Sequence, residues 1–252
     1  MKYLLVLIAI FTQLALAAQP TEWVGPSITC FARDTSMSVS LPAVDAVLDG
    51  TEPTSNFILD FTAEVPMEAQ QSLNFAADIW SVYLVSDVPI RVEVDWQDRM
   101  DPRLLASAGP TTVQRAFAGA IDPFVWYPVA LTEAITGQNQ NGTSPDIRIS
   151  VNSTANWYFG IDGEVPFGQI DLVSVTLHEL GHGIGFLATT DTVNSNMAEF
   201  GIQGLPIIYD TFVEDVNGVP ITNDAVYPNP SASLLDLITW IADFVAAKKH
   251  RS

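Results

Sequence analysis

Asp171-Leu172-Val173-Ser174-Val175-Thr176-Leu177-His178-Glu179-Leu180-Gly181-His182-Gly183-Ile184-Gly185-Phe186 is the stretch around which this 252-residue chain is read. Val173, Leu177, Leu180 and Ile184 recur at three- and four-residue spacing, so Ile170 to Phe186 reads as a central helix with one apolar stripe. Asp171 suits the positive N-terminal end of that helix, and Gly181, Gly183 and Gly185 crowd its other end. On a helix, residues four apart share a face, with Cβ atoms about 5 to 6 Å apart. His178 and His182 stand in that relation, so both imidazoles can reach one zinc ion (Zn2+) at roughly 2.0 to 2.1 Å. Glu179 projects beside them, where it can take a proton from a metal-bound water and pass it to a leaving amine. The chain has only three histidines, and chance placement of H-E-x-x-H in it is about one in a thousand, so the spacing is a chemical signal.

Working outward, Asn56 to Val65 reads as a strand and Met67 to Leu84 as a helix started by Pro66, with Leu73, Ala76, Ala77, Trp80 and Leu84 at helical spacing. Val88 to Trp96 alternates apolar and charged residues, the pattern of a half-buried strand. Trp126 to Thr136 reads as a helix ended by Gly137, and Asp146 to Val151 as a short strand. Near the terminus Leu234, Leu237, Ile238, Ile241, Phe244 and Val245 form a helical stripe capped by Ser233, which Asp236 and Asp243 mark as docked on a core rather than on a membrane. Strands, helices and late helices without repeats describe an α+β chain.

Met1 to Ala17 has the form of a signal peptide: Lys2, a short apolar run, then the Ala15-Leu16-Ala17 cleavage pattern. Residues 1–17 are therefore expected to be removed, giving a secreted chain, extracellular or periplasmic, with no stable membrane anchor. Residues 18–55, rich in Pro, Ser, Thr and Gly, read as an irregular lead-in with one strand near Ser38 to Val44, and residues 56–252 as the catalytic domain. Cys30 is the one cysteine, so no intrachain disulfide can form.

With 48% apolar and 15% charged residues the composition excludes a disordered chain. With 29 acidic against 10 basic side chains, the net charge of −19 repels phosphates and excludes nucleic acid as a partner. Between Arg148 and Lys248 there is no Lys or Arg, while twelve Asp and Glu occur. An acidic solvated surface accounts for that asymmetry, and cation binding or substrate steering is the alternative.

The segment Asp171 to Phe186 resembles the active-site helix of matrixin-like metzincin zinc proteases, especially secreted bacterial HExxH peptidases related to those with a protease-associated domain. Asn56 to Trp96 and Trp126-Tyr127-Pro128 through Asn156-Trp157-Tyr158 are similar to the same group. The resemblance implies an α+β metzincin-like domain: a twisted mixed sheet, a backing helix and an active-site helix, split into two subdomains by a cleft. It implies a secreted zinc-dependent endopeptidase acting on protein or peptide substrates. His178 and His182 would be metal ligands, Glu179 the catalytic general base and acid, and Gly185 the glycine that lets the chain turn.

The pattern departs from that family where its third histidine should stand, because this chain has Ala188 there. His250, the remaining histidine, sits in a basic tail. A catalytic zinc needs three protein ligands and an open position, so a carboxylate is the expected substitute. Asp191 leads, with Glu199 and Asp210 as further choices. Met197 reads either as the hydrophobic turn beneath the metal or as core, and Tyr209 as an oxyanion-stabilising hydroxyl or as a packed ring. The substrate is expected to lie along Asp146 to Val151 as an added strand. The missing third histidine leaves a second reading open: a degenerate or truncated, non-catalytic zinc-binding secreted domain.

Overall fold

The computed structural model describes residues 21–31, 49–62, 64–101 and 103–239. The signal segment, the strand expected at Ser38 to Val44, and the tail with His250 lie outside the described residues.

Two short strands begin the described chain, β1 (Thr21–Val24) and β2 (Ile28–Phe31). They are followed by β3 (Phe57–Phe61), helix α1 (Met67–Tyr83), β4 (Ile90–Gln97), β5 (Leu104–Pro110), β6 (Thr112–Arg115) and β7 (Tyr127–Pro128). Next come α2 (Val129–Thr136), β8 (Ile147–Asn152), β9 (Trp157–Tyr158), β10 (Ile170–Asp171) and α3 (Leu172–Ile184). A hairpin of β11 (Asp191–Asn194) and β12 (Met197–Glu199) and a 3₁₀ turn at Ile208–Phe212 complete the sequence up to a last helix, α4, described over 232–239.

The five-stranded sheet has the order β2-β5-β8-β4-β3. β3, β4 and β8 run parallel, β5 and β2 antiparallel to their neighbours. Ile90, Val92, Val94 and Trp96 of β4 are buried while Arg91, Glu93 and Asp95 are partly exposed, which is the two-residue period of its sequence turned into two faces. The buried face carries α1 and α3: Leu73 and Ala76 of α1 and Leu180 of α3 join Val92, Val94, Ile147 and Ile149 in one core. α4 is docked: Leu234 and Leu237 are buried with Ala198, Phe200, Ile221 and Tyr227 in a second core.

Several sequence expectations change here. The lead-in is not wholly irregular, because β2 pairs with β5 as an edge of the main sheet and β1 with β6 in a three-stranded sheet. The helix expected from Trp126 starts at Val129 instead, since Trp126 bridges to Ile207 and Pro128 sits at the N-cap with extended backbone. The cap of α4 is Ser231 rather than Ser233, its Oγ accepting from the Leu234 amide at 3.1 Å. β8 is not a docking edge: it is hydrogen-bonded to β4 on one side and β5 on the other, so its ladder groups are used and a substrate strand cannot add there.

Candidate metal centre

α3 is fixed at three points. At its start the Asp171 carboxylate accepts from the Val173 and Ser174 amides at 3.3 and 3.2 Å, satisfying two donors that a helix N-terminus leaves open. In its middle the indole of Trp80, on α1, donates to the Leu177 carbonyl at 3.0 Å. At its end Gly185 adopts φ 124°, a region that side chains rarely enter, and the Phe186 amide reaches back to the Gly181 carbonyl at 2.9 Å. The Phe186 ring then stacks on Trp80, centroids 6.0 Å apart, so one tryptophan braces both the middle and the end of the helix.

That bracing places the two imidazoles. Nε2 of His178 and Nε2 of His182 lie 2.9 Å apart, with the rings edge to face at 83°. Nδ1 of His182 donates to the Phe186 carbonyl at 2.7 Å, which fixes the proton on Nδ1 and leaves Nε2 as an acceptor. Nε2 of His178 is then the donor across the pair. Burial lowers the His178 pKa, and the neighbouring His182 adds to that, so its ring stays neutral and suited to a metal. Across a tetrahedral ion with zinc–nitrogen bonds of about 2.0 to 2.1 Å the two nitrogens would stand roughly 3.3 Å apart. A small opening of the pair and a shift of the His178 proton to Nδ1 would leave both Nε2 atoms free to ligate, with the carbonyl contact to His182 in the supporting role that ligating histidines need.

Glu179 is fully buried, on the inward side of α3 with Leu172, Thr176 and Leu180. It adjoins the pair in sequence but is turned toward the protein interior, about 100° around the helix from His178.

The third ligand expected from the sequence is not brought to the pair. Among the described residues no group of three His, Cys, Asp or Glu side chains is placed to hold a metal. Asp191 is exposed on β11, and Glu199 is exposed opposite it, the two being partners in the hairpin register. Asp210 is buried and committed to protein donors: Thr189 N at 2.9 Å, Thr189 Oγ1 at 2.5 Å and Ile207 N at 3.0 Å. The reason is structural, since the chain leaves Gly185 through Leu187, buried among Trp126 and Ile207, before the hairpin begins. Met197 is exposed at the start of β12, so it is not core, and the Tyr209 ring packs against Phe186 at 6.1 Å.

The sequence profile of a family described as SPBPB7E8-like matches residues 62–224, more than half of the chain. A protein of Schizosaccharomyces pombe, named uncharacterized protein PB7E8.01, is 29% identical over 133 residues, 46% of this chain. The chain spans 23% of that protein's length. No solved structure matches significantly. The metzincin resemblance is thereby corrected over its whole extent, Asn56 to Trp96 and Trp126 to Tyr158 included: the match across residues 62–224 is to a different family, and the specific motif of the likeness was confined to the sixteen residues Asp171 to Phe186. A short motif set by metal chemistry can be shared without a shared family.

Proposed function

This chain belongs to the SPBPB7E8-like family, and from the site itself we propose that it is a secreted, zinc-dependent peptide hydrolase. The single observation that supports the reading most is the convergence of two imidazoles, Nε2 to Nε2 at 2.9 Å, on the helix that also carries the buried Glu179. His178 and His182 would hold the ion. Bound there, zinc supplies Lewis acidity, polarising a carbonyl oxygen and lowering the pKa of water. Glu179, buried on the inward side of α3, would have to turn its carboxylate toward the imidazole pair to accept the proton of the attacking water and return it to the departing amine, so that the peptide C–N bond breaks without a covalent enzyme intermediate. The Phe186 carbonyl keeps His182 in the tautomer that presents Nε2.

A second reading, metal binding without turnover, is favoured by one fact: the described residues bring two imidazoles together and no third His, Cys, Asp or Glu, where catalytic zinc uses three ligands. Elemental analysis of the purified full chain, paired with casein cleavage, separates the two. The hydrolase reading expects about one zinc per chain, cleavage abolished by a chelator, and a Glu179→Gln variant that keeps the metal but loses about 10² to 10⁴ in rate. Zinc without cleavage leaves the second reading, and absence of zinc after loading removes both.

A further inference from the structure

A cavity of about 520 Å³ opens at the C-terminal end of α3. Its walls include Leu84 following α1, Ile90 at the start of β4, Leu131 on α2, Ile184 at the end of α3 with Phe186 just beyond it, and Phe212 from the 3₁₀ turn. No charged side chain lines it, although 15% of the chain is charged. Of its lining hydroxyls, Ser86 is already engaged, donating to the Val88 carbonyl at 2.7 Å. A size of 300 to 1,000 Å³ with apolar walls is typical of a ligand site.

The cavity and the imidazole pair share a residue. Phe186 lines the cavity with its ring, 54% exposed, while its carbonyl holds Nδ1 of His182 at 2.7 Å. Whatever fills the cavity therefore lies one helical turn beyond His182. We propose that this cavity receives a bulky apolar side chain, aromatic or branched aliphatic, of a peptide; that the peptide is the substrate rests on the hydrolase reading. A free fatty acid fits less well. Its carboxylate would meet no cation in the lining, in a chain that has no Lys or Arg between Arg148 and Lys248 and a net charge of −19.

Binding can be read without any metal. Saturation-transfer NMR on the zinc-free full chain compares acetyl-Gly-Phe-amide with acetyl-Gly-Glu-amide. Ala134→Phe fills the cavity from the α2 wall, and Val85→Asp places a charge at its rim on a side chain that is 78% exposed, so that folding is not at stake. The Phe peptide is expected to bind, the Glu peptide not, and both variants to weaken the Phe peptide about tenfold or more, the discrimination that an apolar pocket supplies. Val85→Asp should also admit acetyl-Gly-Lys-amide. Equal binding of the Phe and Glu peptides, or variants that bind the Phe peptide unchanged, would overturn the assignment. A chain that binds the Phe peptide in this pattern yet holds no zinc keeps the cavity and loses the hydrolase; one that cleaves casein with no preference for apolar side chains keeps the hydrolase and loses the cavity.

Discussion

Asp210 shows how a residue with the right chemistry can be spent on structure. Its carboxylate is fully buried, and burial pushes its pKa up while the three donors from Thr189 and Ile207 pull it back. An isosteric Asp210→Asn replaces one acceptor oxygen with an NH₂ that faces donors, so the variant should lose about 1 to 3 kcal/mol of stability in urea unfolding. Its zinc content should match that of the parent, because the carboxylate accepts from two backbone amides and the Thr189 hydroxyl; a loss of zinc with unchanged stability would restore Asp210 as a ligand. Sequence spacing could not reveal this, since Thr189 and Asp210 are 21 positions apart and meet only when the 3₁₀ turn folds back on the segment after α3. The His178 and His182 pair was legible for the opposite reason, being separated by one turn of a helix whose period is fixed.

α3 meets β8 so closely that its glycines have opposite roles. A Cβ at Gly183 would stand 2.3 Å from Cγ2 of Ile147, a fully buried side chain of β8, whereas one at Gly181 would meet only Trp80 at 3.7 Å. Helix propensity favours Ala over Gly by about 1 kcal/mol at either position. At Gly183 the overlap, worth about 1 to 3 kcal/mol when a packed core is overfilled, outweighs that gain. Gly183→Ala should therefore destabilise by up to about 2 kcal/mol while Gly181→Ala stabilises by up to about 1, measured by denaturant midpoints; the same sign for both would contradict this packing. Elements of this kind were readable where their period was clean, as in α1, β4 and α3. β5 was not, because Leu104–Pro110 follows its two leucines with Ala, Ser, Ala, Gly and Pro and shows no alternation to betray it, and its place between β2 and β8 comes from long-range pairing. β1 and β2 were hidden in the same way, since a Pro- and Thr-rich lead-in becomes strand only when β5 and β6 are there to pair with it.

The charge of the whole molecule sets how its stability responds to solution conditions. The described residues form three ion pairs, Arg99 with Asp95, Arg103 with Asp101, and Arg148 with Glu93, all before residue 149. Beyond Arg148 the acidic residues have no cationic neighbour in sequence until Lys248. Within the fold, burial pushes Asp146, Glu133 and Asp210 above their ordinary values, and the charge of Asp146 pushes Glu133 further. For an acid whose folded pKa is raised, the favourable contribution is complete below its unfolded value, 3.8 for Asp and 4.5 for Glu, and is lost as pH climbs through the folded value. Asp101, Asp162 and Asp215, all open to solvent in part or whole, are shifted down and act with the opposite sign, at still lower pH and under solvent screening. Self-repulsion of a chain at −19 works in the same direction as the buried acids, since every proton lost adds to it. With metal removed by chelation, the thermal midpoint should thus be higher at about pH 5 than at about pH 8. Glu133→Gln should flatten that slope, and raising salt from about 0.05 to about 0.5 M should recover more stability at the higher pH, where the charge to be screened is larger. A midpoint at pH 8 that equals or exceeds the one at pH 5 would contradict the upward shift of the buried carboxylates and the weight given to the net charge.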